Sequence, residues 1–263
     1  MTLAPPTFPL LSLRQVGRDF ANGLRALDAV SLDLAPDDFL SLVGPSGCGK
    51  STLLRLIAGL DQPSQGSIAW SGGRPEPGEI GFVFQEPTLM PWATVADNVR
   101  LPLRLRGDDR GTRGQVEEML ALVGLAEFAD SYPRQLSGGM KMRASLARAL
   151  VTKPKLLLLD EPFAALDEIT RFRLNEDLLR IWQAQKCAVI FVTHSVFEAV
   201  FLSRRVIVMS PRPGRIMTER MIELPYPRTA SLRTEAAYGA ICRAVSQTLS
   251  AAMAPAALVM GRA

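Results

Sequence analysis

The feature that most constrains this chain is a glycine-rich loop between an apolar run and a stretch of helical spacing. Residues 39–43 (FLSLV) form the apolar run, and GPSGCGKS follows directly over residues 44–51. This loop matches the pattern GxxxxGK[ST], in which glycines let backbone N–H groups close around phosphate oxygens. The dipole of the following helix N-terminus would favour the same anion. The sequence therefore predicts a strand, a phosphate-binding loop and a helix in succession.

The loop supplies candidate ligands for a nucleoside triphosphate. Lys50 would reach the β- and γ-phosphates, and the Ser51 hydroxyl would coordinate Mg²⁺. The alternative is an ordinary glycine turn with a solvated lysine, which the flanking apolar runs disfavour. Cys48 is either a small filler or a thiol made reactive by the helix N-terminus. The predicted nucleotide contacts are Gly44, Pro45, Ser46, Gly47, Cys48, Gly49, Lys50, Ser51 and Thr52.

Several short apolar runs predict strands around this loop. The unbroken runs 156–159 and 188–192 are typical of strands buried on both faces, which indicates a parallel central sheet. Runs 66–70 and 80–84 belong to a β-rich front section, the predicted N-terminal antiparallel β subdomain. Two more strands, 206–209 and 215–224, enclose PRPG.

Helical spacing accounts for most of the remaining chain. After the loop, an apolar stripe is predicted to consist of Leu53, Leu56, Ile57 and Leu60. Residues 94–150 carry long helical patterns that predict an inserted helical subdomain over about 86–155. Helical spacing returns over 235–253, within a C-terminal extension of about 231–263 that is either ordinary packing or a regulatory appendage. The prediction is a single α/β domain over residues 1–263.

Two carboxylates follow the run of four leucines. Asp160 and Glu161 would leave the carboxyl end of a buried strand and face the crevice that open α/β sheets use for ligands. Asp160 is predicted to bind Mg²⁺, and Glu161 to activate a water molecule as general base. The alternative for this pair is a helix-capping acid after a buried strand.

His194 is the only histidine and ends the run AVIFVTH. A single histidine beside an apolar strand is commonly a satisfied core residue. Its strand would nevertheless end in the same crevice as the two carboxylates, where an imidazole could hydrogen-bond a γ-phosphate and position the water. We therefore predict that His194 is catalytic.

Composition excludes other classes. A net charge of +4 without a basic run does not indicate nucleic-acid binding. Three widely separated cysteines provide neither a disulfide framework nor metal-ligand spacing, which is typical of a cytosolic protein. The N-terminus lacks the features of a signal peptide, and the uncharged stretch 244–261 falls short of a membrane span.

Once these elements are combined with LSGGM at residues 136–140, the chain resembles the ATP-binding subunits of ABC transporters. The resemblance covers nearly the whole chain and implies a P-loop NTPase fold that hydrolyses ATP with Mg²⁺. The family's LSGGQ ends here in Met140, a departure at one position. The resemblance implies that Ser137, Gly138 and Gly139 contact the nucleotide held by a second copy, so that two chains would form a dimer with two shared sites.

The resemblance also implies roles for residues outside these motifs. Gln85 would link the nucleotide site to the helical subdomain, act in catalysis and ligate Mg²⁺, and Phe20 would stack on adenine. The segment 165–167 (ALD) would meet its counterpart across the dimer. The alternative for SGG is a structural one, in which Ser137 is a helix N-cap. The two interpretations are compatible, because the N-terminus of a helix also binds anions.

Two loop motifs, LMPWATVADNV and MSPRPGRI, resemble the nitrate, sulfonate, taurine and bicarbonate importer branch of the family. This implies a peripheral subunit on the inner face of the cell membrane, with integral permease subunits and, indirectly, a periplasmic or extracellular solute-binding protein. The first motif contains Leu89, Met90 and Trp92, which form either an apolar docking surface or buried core.

Three other functions are alternatives to the importer. A soluble ABC-type ATPase acting on DNA or in translation usually carries a long coiled coil or a second ATP site, and this chain has neither. A nucleotide-binding scaffold without turnover would be expected if Glu161 or His194 were missing. A small-molecule kinase would leave LSGGM without a role.

Overall fold

Buried aliphatic runs build the central sheet of this protein, which we describe from a computed structural model covering residues 9–108 and 111–253. The strands are β1 (Leu11–Asp19), β2 (Arg25–Leu34), β3 (Phe39–Val43), β4 (Gln65–Trp70), β5 (Ile80–Val83), β6 (Leu156–Asp160), β7 (Ala188–Val192), β8 (Arg205–Met209) and β9 (Ile216–Met221). The α-helices are α1 (Lys50–Ile57), α2 (Val95–Leu105), α3 (Arg113–Leu122), α4 (Gly138–Leu150), α5 (Glu168–Gln185), α6 (Val196–Leu202) and α7 (Ala236–Met253).

The central sheet has the strand order β5-β6-β7-β3-β8-β9. The first five strands are parallel, and β9 pairs with β8 in the antiparallel direction. Every residue of β3 and β7 is buried, as the unbroken apolar runs predict. The order brings the carboxyl ends of β6, β7 and β3 side by side, which is where the predicted site residues lie.

A second sheet, β2-β1-β4, is antiparallel and confirms the predicted N-terminal β subdomain. In β2, Val30, Leu32 and Leu34 alternate with exposed positions, so one face of the strand packs inward. The placement of residues 80–84 in this front section was wrong. Residues 80–83 form β5, an edge strand of the central sheet whose Ile80 and Val83 pair in parallel with Leu156 and Leu159.

The apolar stripe of α1 is shorter than its spacing predicts. Leu53, Leu56 and Ile57 are buried, whereas Leu60 is 53% exposed. The helix ends at Ile57, and Gly59 has a φ of +71°, which turns the chain out of helical geometry. Leu60 therefore lies beyond the helix and not on its buried face.

The region between β5 and β6 is helical, as the spacing predicts, and contains α2, α3 and α4. Thr94 begins α2 by accepting a hydrogen bond from the Asp97 backbone N–H at 3.1 Å. Apolar residues of all three helices join the core cluster that also includes the buried face of the central sheet. The subdomain boundaries of about 86–155 stay a prediction.

At the C-terminal side, the predicted strand 215–224 is shorter, because β9 ends at Met221. The predicted helix corresponds to α7, which buries Tyr238, Cys242 and Val245 in the core. The part of the predicted extension from 254 to 263 lies outside the described residues. Within the described ranges, no helix combines the length and the hydropathy needed to span a bilayer.

Candidate nucleotide site

The phosphate loop lies at the carboxyl end of β3 and opens directly into α1. Lys50 is the first residue of the helix and is only 5% exposed. Its Nζ atom donates hydrogen bonds to the carbonyl oxygens of Gly44 at 2.9 Å and Pro45 at 3.0 Å. The ammonium group is therefore held inside the loop, where its charge faces the space enclosed by the backbone.

Position 49 requires glycine for two reasons, its backbone conformation and the close packing around it. Its φ is +101°, a conformation that side-chain-bearing residues rarely adopt. A Cβ atom at this position would lie 2.7 Å from Leu27 Cδ2 and 2.8 Å from the Ala26 carbonyl oxygen. Strand β2 therefore passes directly against the phosphate loop, and only glycine fits between them.

Cys48 is 1% exposed and packs inside the loop. Burial raises the pKa of its thiol, and the nearby charge of Lys50 opposes that shift only in part. A raised pKa suppresses the thiolate, which is the reactive form. These observations favour the interpretation of Cys48 as a small filler.

Asp160 and Ser51 lie side by side across the crevice. The Ser51 hydroxyl donates a hydrogen bond to Asp160 Oδ1 at 2.9 Å. Burial raises the pKa of Asp160, and the hydrogen bond from Ser51 acts in the opposite direction. A partly buried carboxylate paired with a hydroxyl is a site at which a cation would stabilise the ionised form.

Glu161 occupies the centre of the site. Its Oε1 atom is 4.0 Å from Lys50 Nζ, and its Oε2 atom is 3.4 Å from His194 Nδ1. Its backbone N–H donates to the Val192 carbonyl oxygen at 3.0 Å, and its φ of +46° lies in the left-handed region. Such a conformation in a residue with a side chain costs about 1–2 kcal/mol, and strain of this kind clusters at functional sites.

A buried network positions the segment that carries His194. Thr193 donates through its hydroxyl to Glu198 Oε2 at 2.5 Å and accepts from the Ser195 backbone N–H at 3.0 Å. Arg171 Nε lies 4.0 Å from Glu198 Oε1, while the Nη2 of Arg171 donates to the Leu166 carbonyl oxygen at 2.8 Å. The His194 side chain itself is 53% exposed. These contacts fix the backbone next to His194, and the imidazole itself projects into the open crevice.

The LSGGM segment is not brought to the phosphate loop of the same chain. Ser137 caps α4 by accepting from the Met140 backbone N–H at 3.3 Å, as the N-cap interpretation predicts. Cβ atoms on Gly138 and Gly139 would approach Leu166 Cδ2 and Thr170 Cγ2 at 3.3 and 3.0 Å. Within residues 9–108 and 111–253, no hydrogen bond or ion pair joins this segment to the phosphate loop.

Gln85 and Phe20 lie at the margins of the site. Gln85 is exposed and comes two residues after β5, whose Val83 pairs with Leu159. Its backbone therefore lies at the same sheet edge as Asp160. Phe20 is 37% exposed in the β1–β2 turn, with the Arg18 guanidinium 5.2 Å from its ring centre. The roles of both residues stay predictions.

The segment after Gln85 is held by two residues that the sequence reasoning missed. Asn98 is fully buried and exchanges hydrogen bonds with the Met90 backbone at 2.7 and 3.2 Å. Arg148 donates to the carbonyl oxygens of Pro87 at 2.9 Å and Thr88 at 2.8 Å. A buried asparagine in a helical pattern was the available signal for the first, whereas nothing local marks the second.

The structure separates the apolar residues of this segment: the buried-core alternative is correct for Leu89, and a docking role for Trp92 stays a prediction. Leu89 packs against the core cluster, whereas Trp92 is 76% exposed. Because Asn98 fixes the backbone on both sides of Trp92 through Met90 and Ala93, the indole is held outward. The indole is therefore accessible to a partner.

Comparison with known proteins agrees with this geometry. The ABC transporter family matches residues 27–164 of the chain. An aliphatic sulfonates import ATP-binding protein of Granulibacter bethesdensis is 48% identical over 233 residues, covering 86% of this chain and 92% of that protein. An uncharacterized ABC transporter ATP-binding protein of Methanocaldococcus jannaschii is 50% identical over 210 residues, covering 79% of each.

A solved structure extends the similarity to three dimensions. A dimeric, post-hydrolysis state of the ATP-binding cassette MJ0796 with ADP and phosphate superposes with a TM-score of 0.70. It is 32% identical and covers 82% of this chain and 100% of its own. The family match, these relatives and the convergence of Lys50, Glu161 and His194 lead to one assignment. The chain belongs to the ABC transporter family and is an ATP-hydrolysing subunit.

Proposed function

We propose that this chain binds Mg-ATP between two copies of itself and that hydrolysis there powers uptake of a small anionic solute through membrane permease subunits. The observation that carries the proposal is the placement of one carboxylate, Glu161, between Lys50 and His194 at the carboxyl ends of the inner strands β6, β7 and β3. This arrangement joins a phosphate-binding cation, a general base and a hydrogen-bonding imidazole in one crevice.

Lys50 would bind the β- and γ-phosphates. Its hydrogen bonds to the carbonyl oxygens of Gly44 and Pro45 hold the ammonium group in the loop. Phosphate oxygens carry full charge and are stronger acceptors than carbonyl oxygens. Lys50 would therefore exchange these two carbonyl oxygens for phosphate oxygens when nucleotide binds, which favours binding and requires no movement of α1.

The donor set fits Mg²⁺ bound together with phosphates. In the described part of the chain, no group of three or more His, Cys, Asp or Glu side chains could hold a metal ion alone. Mg²⁺ usually binds one or two protein oxygens and completes its shell with phosphates and water. Ser51 and Asp160, with Gln85 at the same sheet edge, would supply the protein ligands. When bound, the ion neutralises charge on the phosphates.

Glu161 would accept a proton from the attacking water, and His194 would hydrogen-bond the γ-phosphate. The 3.4 Å separation between the two side chains leaves the carboxylate free to turn toward a water molecule. Distances of this kind commonly shorten when substrate binds. Lys50 Nζ lies 4.0 Å from Glu161 Oε1, so the phosphates bound by Lys50 would lie beside this carboxylate.

A second copy would complete the site. Ser137, Gly138 and Gly139 form the N-terminus of the 13-residue helix α4, where backbone N–H groups favour an anion. Because these residues do not contact the phosphate loop of their own chain, we assign them to the nucleotide of a partner copy. The dimeric cassette that this chain resembles supports the arrangement.

The solute and the membrane partners follow from the importer relatives. The similar Granulibacter bethesdensis protein is named for aliphatic sulfonates, which are anions. The motifs around Trp92 and Arg212 resemble the same branch. We therefore propose a sulfonate-class anion as solute, delivered by an extracytoplasmic binding protein to permease subunits, with this chain on the inner membrane face. The alternative is a soluble ABC-type ATPase outside transport.

ATP hydrolysis at a series of protein concentrations tests the composite site. We expect turnover per chain to rise with concentration, because the site requires two copies. Glu161→Gln should lower turnover at least about 100-fold while ATP still binds and the dimer persists. Glu118→Gln, which makes the same charge change at an exposed helix position, is the matched control. Normal turnover in Glu161→Gln would contradict the role of the general base.

Transport is tested separately in cells that lack this chain. Restoration of sulfonate uptake by the native chain, and not by Glu161→Gln, is the expected result. ATP turnover in vitro without any effect on uptake, and without recovery of the chain with membranes, would favour the soluble alternative.

A further inference from the structure

The loop between β8 and β9 lies against the phosphate loop. Arg212 donates through Nε and Nη2 to the carbonyl oxygen of Gly47, at 3.1 and 3.0 Å. These contacts join positions 165 residues apart in the chain. None of the residues proposed to bind phosphate or to activate water makes this contact. The proposed function therefore gives Arg212 no role.

The same loop contacts both the phosphate loop and β2. The Gly214 N–H donates to the Ala26 carbonyl oxygen at 2.9 Å, and the Gly214 carbonyl oxygen accepts from the Asp28 N–H at 3.0 Å. A Cβ atom on Gly214 would lie 2.0 Å from the Cys48 carbonyl oxygen. The backbone of this loop therefore touches the phosphate loop so closely that only glycine fits.

Contacts within the loop and with β2 fix its backbone. The Ser210 hydroxyl shares its proton between the carbonyl oxygens of Pro211 at 2.8 Å and Pro213 at 3.0 Å, and it accepts from the Arg215 N–H at 2.9 Å. Arg215 is in turn paired with Asp28 on β2. Arg212 thus extends from a fixed backbone, so little conformational entropy is lost when it holds Gly47.

We propose that Arg212 is a positioning residue for nucleotide binding, which holds the Gly47 carbonyl group on the outside of the phosphate loop. Gly47 has a φ of +74°, and a loop rich in such conformations has many alternative shapes when it is not restrained. By fixing one peptide group, Arg212 keeps the loop in its phosphate-binding shape. Its positive charge beside the loop also attracts the anionic ligand.

This inference rests on nucleotide binding at the phosphate loop and is tested by binding, not by turnover. We would titrate the purified chain and its variants with fluorescent mant-ATP and mant-ADP. Arg212→Ala should weaken both nucleotides by about three- to tenfold, because the restrained loop serves the phosphates common to both. Arg212→Lys should recover part of the affinity, since an ammonium group can donate one hydrogen bond to the same carbonyl oxygen.

Arg220→Ala is the control, because it removes an exposed cation from β9 beside Val206, at the end of the central sheet opposite the phosphate loop. It should bind both nucleotides within twofold of the native chain. At saturating ATP, Arg212→Ala should retain its kcat within about twofold, so that the loss lies in KM. Circular dichroism melting establishes that each variant is folded.

Equal affinities for the native chain and Arg212→Ala would overturn the inference. Loss of ATP affinity alone, with ADP unchanged, would also overturn it, because that pattern indicates direct contact with the γ-phosphate. If the native chain binds no nucleotide, the proposed function itself fails, and the two failures are thereby distinguished.

Discussion

His194 Nδ1 lies 3.4 Å from Glu161 Oε2, although 33 positions separate the two residues. The contact exists because β6 and β7 are parallel neighbours and each ends just before one of these residues. Glu161 also lies 4.0 Å from Lys50, which follows the third strand of the group. Three adjacent strand ends therefore deliver a base, an imidazole and a cation to one point.

His194→Ala should lower ATP turnover by about 100-fold or more, because the γ-phosphate and the attacking water lose a positioning group. ATP affinity should change by less than about threefold, since the phosphate loop supplies most of the binding contacts. Steady-state hydrolysis and equilibrium binding measure the two effects. Unchanged turnover in His194→Ala would contradict a catalytic role for His194 and favour a structural one.

Lys50→Ala should weaken ATP binding by at least about tenfold, because the loop loses the buried cation that faces the phosphates. The measurement is equilibrium titration with a fluorescent ATP analogue. Lys155→Ala is the control, since it removes an exposed lysine whose partner is Glu79. Similar losses in the two variants would indicate a general charge effect and contradict a local role for Lys50.

Arg228→Lys should lower the free energy of unfolding by about 3 kcal/mol. The Arg228 guanidinium is buried and donates to four carbonyl oxygens around the end of α6, those of Val200, Phe201, Ser203 and Leu224. An ammonium group cannot reach all of them. Urea denaturation measures the loss, and Arg180→Ala, at an exposed pair with Asp177, should cost less than about 1 kcal/mol.

Glu198→Gln should change how stability depends on pH. Burial raises the pKa of Glu198, against the hydrogen bond from Thr193 and the charges of Arg171 and His194. The folded chain therefore keeps this proton to a higher pH than the unfolded chain, whose ordinary value is 4.5. The stabilisation by the protonated form is full below that value and is lost as pH rises toward the folded pKa.

Relative to Glu198→Gln, the native chain should thus lose stability with rising pH, by at most about 1.4 kcal/mol per pH unit for one proton. Urea midpoints of the two proteins between pH 4.5 and 7 provide the comparison. Glu118→Gln changes an exposed carboxyl group, so its stability should depend on pH in the same way as that of the native chain. A constant difference between the native chain and Glu198→Gln would show that this carboxyl group does not titrate abnormally.

Trp92→Ala should change the free energy of unfolding by less than about 0.5 kcal/mol, because the indole is mostly in solvent. It should nevertheless reduce recovery of the chain with permease-containing membranes. Leu105→Ala, which removes another highly exposed apolar side chain, should leave that recovery unchanged. Full membrane recovery of Trp92→Ala would contradict a docking role for Trp92.

The nucleotide-binding elements could be predicted because their information is local. A phosphate loop needs a strand, glycines and a helix start in unbroken succession, and residues 39–57 contain all three. Unbroken apolar runs likewise predict buried strands, and the carboxyl ends of parallel strands meet at one edge. Asp160, Glu161 and His194 were predicted to meet for that reason.

The remaining features depend on contacts between distant segments. Leu60 fits the helical spacing, yet the chain turns at Gly59 and leaves it exposed. Residues 80–83 form a parallel edge strand because they pair with the apolar strand β6 from Leu156 to Leu159, a distant partner that no local pattern specifies. Arg212 reaches Gly47 only after β8 and β9 place their loop beside the phosphate loop. Short-range spacing thus determined which groups carry the chemistry, whereas packing decided which groups hold them in place.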